Sequence, residues 1–326
     1  MPRKPVGNTF LSRVAAPRFF GEPLSTGKVR PHDLTLAKSG EPQEYYVHPH
    51  GKLWLGDSLK WLCRLPPQSV DLIFADPPYN IGKADWDHFQ SQDQYVSWST
   101  QWIEMAAAAL QPTGSLYICG FSEILADLRR PAARYFDHCR WLVWFYKNKA
   151  NLSGDWGRSH ESMLHFRKRD WAGLDVDAIR LPYGKHTMKY PVHPQAASSQ
   201  YGNGETDRDD WTPHPAGAKP KDVLEIPTTS NGMLEKTPHP TQKPEELLRR
   251  LILAACKEGD LVLDPFAGSG TTLVCAEQLG RRWEGCEISA EYCSWASLRL
   301  EAIARKSVNE WIEFDRRNIQ RRQSIR

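Results

Sequence analysis

The ten residues VDLIFADPPY, at positions 70–79, decide the fold. Their first part, residues 70–75, is an apolar run interrupted only by Asp71, which is typical of a strand buried on both faces of a parallel sheet. The two prolines that follow Asp76 end the strand, because proline has no N–H group for a ladder hydrogen bond. The stretch therefore predicts a buried parallel strand with a carboxylate at its carboxyl end.

Strand-like and helix-like segments alternate on both sides of this strand. Before residue 147 the pattern predicts strands at 52–55, 115–119 and 141–146 and helices at 59–65, 94–110 and 122–130. After residue 240 it predicts helices at 244–256, 271–279 and 290–306 and strands at 261–263 and 283–286. Alternation of this kind is typical of an α/β fold in which helices cover a mostly parallel sheet.

Composition places the chain among ordinary globular proteins. Of its 326 residues, 40% are hydrophobic and 25% are charged, which excludes a collagen, a coiled coil and a wholly disordered chain. The longest apolar stretch, Met105–Leu110, is far shorter than the roughly 20 residues of a membrane span. The N-terminus has charges and prolines where a signal peptide has its apolar core, so we expect a cytoplasmic protein with no membrane partner.

The formal net charge of +3 is too small to indicate nucleic acid by itself, but both ends are basic. Residues 1–30 carry six Lys or Arg against the single acid Glu22, and residues 316–326 carry five Arg and no acid. Such ends either follow a phosphate backbone or are solvated tails. The seven cysteines include no C-x-x-C pair, so we expect neither a disulfide framework nor a metal site.

A glycine-rich loop is a candidate cofactor site. The stretch DPFAGSGT, residues 264–271, lies between a predicted strand and a predicted helix, and Glu287 ends the next strand. Glycines let the backbone approach a ligand closely, and a carboxylate at the end of the second strand can accept hydrogen bonds from two ribose hydroxyls. The loop matches neither a P-loop nor G-x-G-x-x-G. It predicts a nucleoside cofactor, with a tight turn as the alternative.

The motif Asp76-Pro77-Pro78-Tyr79 is a candidate catalytic site. It lies at the carboxyl end of the buried strand, the edge at which open α/β sheets bind ligands. Its prolines fix the backbone and leave the Pro77 carbonyl beside the Asp76 carboxylate as a second acceptor. A planar amino group of a nucleobase can donate one hydrogen to each acceptor, while Tyr79 stacks on the base. A simple strand-ending turn is the alternative.

Together with His239-Pro240-Thr241-Gln242-Lys243-Pro244, these two motifs resemble the S-adenosylmethionine-dependent DNA amino-methyltransferases of the β arrangement. In that family the Asp-Pro-Pro-Tyr motif precedes the recognition region and the Phe-x-Gly-x-Gly motif comes last, as in this chain. The match covers about residues 50–145 and 235–305 and includes Arg158-Ser159-His160-Glu161. The closest likeness, through residues 75–83, is to the solitary bacterial adenine methylases.

The resemblance implies a Rossmann-like methyltransferase fold: a mixed, mostly parallel seven-stranded sheet with helices on both faces and an inserted target-recognition region. It implies that S-adenosylmethionine is the cofactor, with its methionine part on the loop, its ribose on Glu287, its adenine on Asp57 and its carboxylate near Thr241 and Lys243. The implied cofactor-binding residues are Asp57, His239, Thr241, Lys243, Asp264, Phe266, Ala267, Gly268, Ser269, Gly270, Thr271 and Glu287. The implied catalytic residues are Asp76, Pro77, Pro78 and Tyr79.

The implied reaction is methyl transfer to the N6 amino group of an adenine that is swung out of double-stranded DNA. Adenine is preferred because adenine enzymes of this family usually begin the motif with Asp and cytosine-N4 enzymes with Ser. Cytosine N4 is the alternative target, and a catalytically silent DNA-binding module is the alternative from another class. Trp144 and Tyr146 either pack in the core or enclose the flipped base.

The resemblance also divides the chain. We expect a basic irregular arm at 1–45, a catalytic half at 46–149, a target-recognition region at 150–235, an S-adenosylmethionine-binding half at 236–310 and a basic tail at 311–326. Ten of the 24 prolines lie in residues 181–244, a stretch that covers the second part of the third region and ends shortly after it. This composition distinguishes the third region from its neighbours. A homodimer and a cognate restriction endonuclease acting on the same site are further expected partners.

Overall fold

A computed structural model describes residues 40–82, 87–147, 154, 156–192, 212–303 and 306–324. Of the expected N-terminal arm, residues 1–39 lie outside these ranges, and Gln43 already begins a strand. The strands are β1 (Gln43–His48), β2 (Gly51–Leu55), β3 (Val70–Ala75), β4 (Leu110–Gly120), β5 (His138–Phe145), β6 (His160–Arg167), β7 (Val223–Glu225), β8 (Leu261–Asp264) and β9 (Arg282–Glu287).

All these strands belong to one sheet, in the order β1-β2-β9-β8-β3-β4-β6-β5-β7. The five neighbouring strands from β2 to β4 run parallel. The strand that the opening motif predicts is β3, which is the fifth of the nine strands and so lies at the centre of the sheet. Antiparallel pairs join β1 to β2, β4 to β6 and β6 to β5, and β7 lies parallel to β5. The α/β class and the mixed, mostly parallel sheet are confirmed.

The strand count of seven was wrong, since the described residues form nine strands. The β1 strand, QEYYVH, is an edge strand whose residues are mostly exposed, so no regular burial pattern marks it. The β7 strand has only three residues, which is too short for a period-2 pattern. Both β6 and β7 lie within residues 150–235, so part of the expected recognition region is built into the sheet.

Helices cover both faces of the sheet. They are α1 (Ser58–Leu62), α2 (Gln92–Ala109), α3 (Ser122–Ala132), α4 (Lys185–Lys189), α5 (Glu245–Ala255), α6 (Thr271–Gln278), α7 (Ala290–Glu301) and α8 (Val308–Ser324). One apolar cluster joins the sheet to α1, α2 and α3, and a second joins it to the helices from α5 to α8. Within the described ranges no helix is long and apolar enough to cross a bilayer.

The C-terminal segment that the sequence analysis expects as a basic tail is largely helix α8. Its buried residues Trp311, Asp315 and Ile319 are spaced four apart, so they lie on one helical face. The carboxylate of Asp315 accepts two hydrogen bonds from Arg249 of α5, at 2.8 and 2.9 Å. The arginines dominate the composition of the segment and hide this apolar face, which is why the tail was expected.

Candidate active site

Four acidic residues meet at one edge of the sheet. Asp57 follows β2, Asp76 follows β3, Asp264 ends β8 and Glu287 ends β9. The four strands are parallel neighbours, so their carboxyl ends lie side by side, where open α/β sheets bind ligands. A cavity at this edge is lined by the predicted site residues Asp57, Asp76, Pro78, His239, Thr241, Lys243, Asp264, Phe266, Ala267, Gly268, Ser269, Thr271 and Glu287.

Three predicted site residues take other positions. Pro77 is buried between Asp76 and Pro78, which both line the cavity, and among the described residues its carbonyl accepts no hydrogen bond. Tyr79 joins the site through its hydroxyl, which donates to Oδ1 of Asp76 at 2.6 Å. Gly270 directly precedes α6 and shapes the loop.

Two glycines fix the path of the loop at residues 264–271. Gly268 has a φ of +52° and Gly270 a φ of +75°, a region that side chains rarely adopt. A Cβ atom on Gly268 would lie 3.0 Å from Nε2 of His239, and one on Gly270 would lie 2.6 Å from Cβ of Ala296. Glycine is therefore required at both positions, and the bare backbone of Gly268 is left facing the cavity.

Two buried carboxylates brace this loop. Asp264 accepts hydrogen bonds from the Phe266 N–H at 2.9 Å and from the Thr272 hydroxyl at 2.5 Å. Glu287 accepts the Gly268 N–H at 2.8 Å on one oxygen and the Ser289 N–H at 2.8 Å on the other. Burial raises the pKa of each carboxyl to about 7. An ionised carboxylate has about four lone-pair sites, so beside these N–H donors Glu287 can still accept a ligand hydroxyl.

Two further cavity residues also make contacts that hold the backbone. Oδ1 of Asp57 accepts the Lys60 N–H at 3.1 Å and so caps α1. Nδ1 of His239 accepts the Thr241 N–H at 3.3 Å, which holds Thr241 at the cavity wall. Burial lowers the pKa of His239 to about 3, so the imidazole is neutral at physiological pH.

The Asp76 carboxylate is held by two donors. Oδ1 accepts the Tyr79 hydroxyl, and Oδ2 lies 2.5 Å from Nζ of Lys243. The same ammonium lies 3.4 Å from Oε2 of Glu161, and the Tyr79 hydroxyl lies 3.1 Å from that oxygen. Four side chains from three separate parts of the chain thus form a closed ring.

Burial sets the protonation of this ring. It raises the pKa of Asp76, and Lys243 opposes the shift. Burial also raises the pKa of Tyr79 well above its usual value, so the phenol stays protonated and donates. Burial by itself would lower the pKa of Lys243, but the carboxylates of Asp76 and Glu161 raise it, so the lysine stays charged.

Glu161 is the site residue that sequence reasoning did not assign. It lies on β6, and antiparallel pairing with β4 brings it to the carboxyl edge, where Cys119 donates to it at 3.5 Å. A carboxylate oxygen of Asp76, the sulfur of Cys119 and a carboxylate oxygen of Glu161 lie within 4.8 Å of one another. The Lys243 ammonium places a positive charge beside these two carboxylates. The only sequence signal for Glu161 was its place in the Arg-Ser-His-Glu motif.

The turn after the catalytic motif is held by another residue that the sequence did not indicate. Asn80 has a φ of +57°, and its N–H donates to the buried carboxylate of Asp87 at 2.6 Å. The Ile81 N–H donates to the other oxygen of Asp87 at 3.2 Å. Asp87 thus fixes the backbone that carries Tyr79.

Trp144 and Tyr146 belong to the core. Their exposed fractions are 2% and 6%, and the Trp144 indole N–H donates to the Ile226 carbonyl at 2.8 Å. The aromatic residues that do line the cavity are Phe74, Phe89, Trp98, Phe266 and Tyr292, of which only Phe266 was predicted.

Comparison with known proteins identifies relatives of this arrangement. The family model for N6 and N4 methyltransferases, described as DNA methylase, matches residues 70–298. The type II methyltransferase M.HpaI of Haemophilus parainfluenzae is 33% identical over 258 residues, which are 77% of this chain and 74% of that protein. The DNA adenine methyltransferase YhdJ of Escherichia coli strain K12 is 32% identical over 266 residues, 80% of this chain and 86% of its own.

Solved structures share the fold. The PvuII DNA methyltransferase, described as cytosine-N4-specific, superimposes with a TM-score of 0.61 at 20% identity and covers 85% of this chain and 95% of its own. The complex of M1.HpyAVI with S-adenosylmethionine superimposes with a TM-score of 0.51 at 22% identity and covers 77% of this chain and 98% of its own. At these identities the likeness concerns the fold alone.

Proposed function

The chain belongs to the N6 and N4 DNA methylase family, and from this premise we propose that it methylates the N6 amino group of a flipped adenine in double-stranded DNA. DNA methylation with S-adenosylmethionine is the activity of the family. The observation that carries the proposal is the Asp76 carboxylate, which lines the cavity and is held there by Tyr79 and Lys243. Asp at this motif position favours adenine over cytosine, and the adenine-specific relative YhdJ supports the same choice.

The cavity suits S-adenosylmethionine by its donors and acceptors. Glu287 offers acceptors for ribose hydroxyls, and the bare backbone of Gly268 allows close approach of a ligand. We propose that the loop, Glu287, Asp57 and Thr241 hold the cofactor. When bound, the cofactor supplies an electrophilic methyl carbon on a sulfonium, so that transfer forms a nitrogen–carbon bond as the carbon–sulfur bond breaks.

The chain itself prepares the amino group of the base. One hydrogen of that group donates to Asp76 and the other to the Pro77 carbonyl. Accepting both hydrogens localises the nitrogen lone pair, which is otherwise delocalised into the ring, and so makes nitrogen more nucleophilic. Transfer gives the previously neutral nitrogen a formal positive charge. It then loses one proton to the Asp76 carboxylate, which leaves a neutral methylamino group and a protonated Asp76. The remaining rate enhancement comes from positioning.

The recognition segment at residues 150–235 is proposed to read the DNA. The described part of it includes Trp156, whose side chain is 96% exposed and which precedes the first residue of β6 by four positions. An exposed aromatic ring in a DNA-binding segment can stack on a DNA base. We also propose that the enzyme acts in the cytoplasm, because its relatives M.HpaI and YhdJ come from bacteria, whose DNA lies in that compartment.

Two protein partners complete the proposal. A restriction endonuclease that cleaves the same site is supported by the type II relative M.HpaI. DNA methylated by this chain should then resist an endonuclease of matching specificity. A second copy of the chain is the other partner, and light scattering at micromolar concentration should give twice the mass of 37.3 kDa.

The direct test uses tritiated S-adenosylmethionine and mixed-sequence double-stranded DNA, followed by digestion and nucleoside chromatography. We expect label in N6-methyladenine. Label in N4-methylcytosine would contradict the choice of base and keep the rest of the mechanism. Cofactor binding without any labelled nucleoside would contradict the proposed reaction and favour a silent DNA-binding module.

A further inference from the structure

Lys243 contacts Asp76, the proposed acceptor of the target amino group, and can set its charge and orientation. Its side chain is 6% exposed, and its ammonium lies 2.5 Å from Oδ2 of Asp76 and 3.4 Å from Oε2 of Glu161. The resemblance implies instead a contact with the carboxylate of the cofactor. Two of the three ammonium donors already face protein carboxylates, so the geometry favours a role at Asp76.

Charge makes this contact important. A carboxylate buried without a partner becomes protonated, because ionisation in a poorly solvated site is costly. A protonated Asp76 would have lost part of the acceptor capacity that the amino group needs. The Lys243 ammonium supplies the charge that keeps Asp76 ionised, and Glu161 in turn holds the ammonium.

The contact also leaves room for the substrate. An ionised carboxylate has about four lone-pair sites. Tyr79 occupies one site on Oδ1 and Lys243 one on Oδ2, so both oxygens keep a site for a further donor. Held from both sides, the carboxylate cannot rotate freely, and its open sites have a fixed direction.

We propose that Lys243 is a positioning residue that keeps the Asp76 carboxylate ionised and oriented toward the target amino group, with Glu161 as the anchor of the lysine. The inference rests on the proposed role of Asp76 as the amino-group acceptor. It assigns to Lys243 and Glu161 a part in the reaction that goes beyond cofactor binding.

The proposal predicts opposite changes in the pH dependence of kcat/KM. Removing the positive charge in Lys243→Gln raises the pKa of Asp76, so the acidic limb of the profile should move up by about 1–3 pH units and activity should return at alkaline pH. Removing a negative charge in Glu161→Gln lowers the pKa of Asp76, so the same limb should move down. The titratable or charged groups facing Asp76 are Tyr79, Tyr95, Cys119, Glu161, Lys243 and Asp264.

These six are the groups found among the described residues. Each single variant changes one of them and keeps the other five, so the difference between its pH profile and that of the wild type reports the removed charge. Lys257→Gln and Glu258→Gln remove equivalent charges from exposed residues just after α5 and should leave the limb in place. The double variant Lys243→Gln/Glu161→Gln removes one charge of each sign and should bring the limb back toward that of the wild type. It also keeps the test decisive if Lys243→Gln alone does not fold.

Calorimetry with S-adenosylmethionine separates this role from cofactor binding. We expect the Kd of Lys243→Gln to stay within about threefold of the wild type. The proposal would be overturned if the Kd for S-adenosylmethionine rose about tenfold or more while the acidic limb of the kcat/KM profile did not move. A loss of kcat/KM that is equal at every pH would also overturn it. Asp76→Ala separates the proposed function from the inference about Lys243. If Asp76→Ala retains methylation, the proposed acceptor role of Asp76 is wrong. If Asp76→Ala is inactive but the pH profiles of Lys243→Gln and Glu161→Gln do not shift, only the inference about Lys243 and Glu161 is wrong.

Discussion

The two halves of the active site are held by contacts of very different range. The proposed cofactor half, by which we mean the loop at residues 264–271 with Glu287, has short-range contacts: Asp264 bonds to Thr272 eight residues away, and Glu287 bonds to Gly268 nineteen residues away. The proposed acceptor half consists of Asp76, Tyr79, Glu161 and Lys243. In it, Asp76 pairs with Lys243 across 167 residues, and Tyr79 approaches Glu161 across 82. The first half is a strand–loop–helix–strand unit, whereas the second depends on the order of strands across the whole sheet.

Because their contacts differ in range, the two halves depend on different parts of the fold. A loop held by nearby residues keeps its shape wherever the βαβ unit forms. A carboxylate held by distant residues is correctly placed only when the complete sheet is assembled. Variants in the cofactor half should therefore change loop stability and cofactor affinity, and variants in the acceptor half should change the reaction and the engagement of DNA.

The largest expected effect on stability is at Gly270. Gly270→Ala places a side chain at positive φ and within 2.6 Å of Cβ of Ala296, so we expect a loss of about 2–4 kcal/mol in the free energy of unfolding. Gly259→Ala is the matched control, because Gly259 has a φ of +83° and nothing within 4 Å of its added Cβ. Urea denaturation should show a clearly smaller loss for the control. Equal losses would mean that the close approach to α7 has no effect.

Next in size is the expected loss of cofactor affinity in Glu287→Gln. The substitution replaces a charged acceptor by a neutral one, and hydrogen bonds to charged groups contribute about 1.5–3 kcal/mol, so the Kd for S-adenosylmethionine should rise about 10–100-fold. Calorimetry gives the value. DNA affinity without cofactor should not change, and a Kd for the cofactor equal to that of the wild type would remove Glu287 from the cofactor half.

A similar or smaller effect is expected in the pH dependence of stability. The pKa of Glu287 is raised to about 7 in the folded chain from an ordinary value of 4.5, because burial disfavours its charge. The folded state therefore binds more protons than the unfolded state between these values, and this contribution to stability is lost as the pH rises to about 7. Compared with Glu287→Gln, the wild type without cofactor should lose about 3 kcal/mol between pH 4.5 and pH 8. Parallel curves for the two proteins, from urea titrations, would contradict this.

The smallest effect is expected at Trp156, in the segment that we propose reads the DNA. Trp156→Ala removes an exposed ring that can stack on a base, so DNA affinity should fall about fivefold to tenfold, at the low end of measured stacking energies. Fluorescence anisotropy with labelled duplex DNA measures it. S-adenosylmethionine affinity is the control and should not change. Unaltered DNA binding would place the DNA contacts elsewhere in residues 150–235.

The same difference in range explains what the sequence could predict. The central strand, the glycine loop and the carboxylates Asp76 and Glu287 were all visible in local patterns of apolar residues and glycines. The pairing of Lys243 with Asp76 and the role of Glu161 were not visible in this way, because these residues are far apart in the sequence. Glu161 reaches the site only through the antiparallel pairing of β6 with β4, which is a property of the folded sheet. Two short or exposed strands, β1 and β7, carry too little pattern to be predicted.

We propose that Asp76 prepares the target amino group while a separate half of the cavity holds the cofactor. The most direct measurement is a single-turnover methylation assay of Asp76→Ala, with cofactor affinity measured on the same preparation. We expect that S-adenosylmethionine still binds and that the rate of methyl transfer falls by at least about 100-fold. Transfer at a rate near that of the wild type, with the cofactor bound, would contradict it.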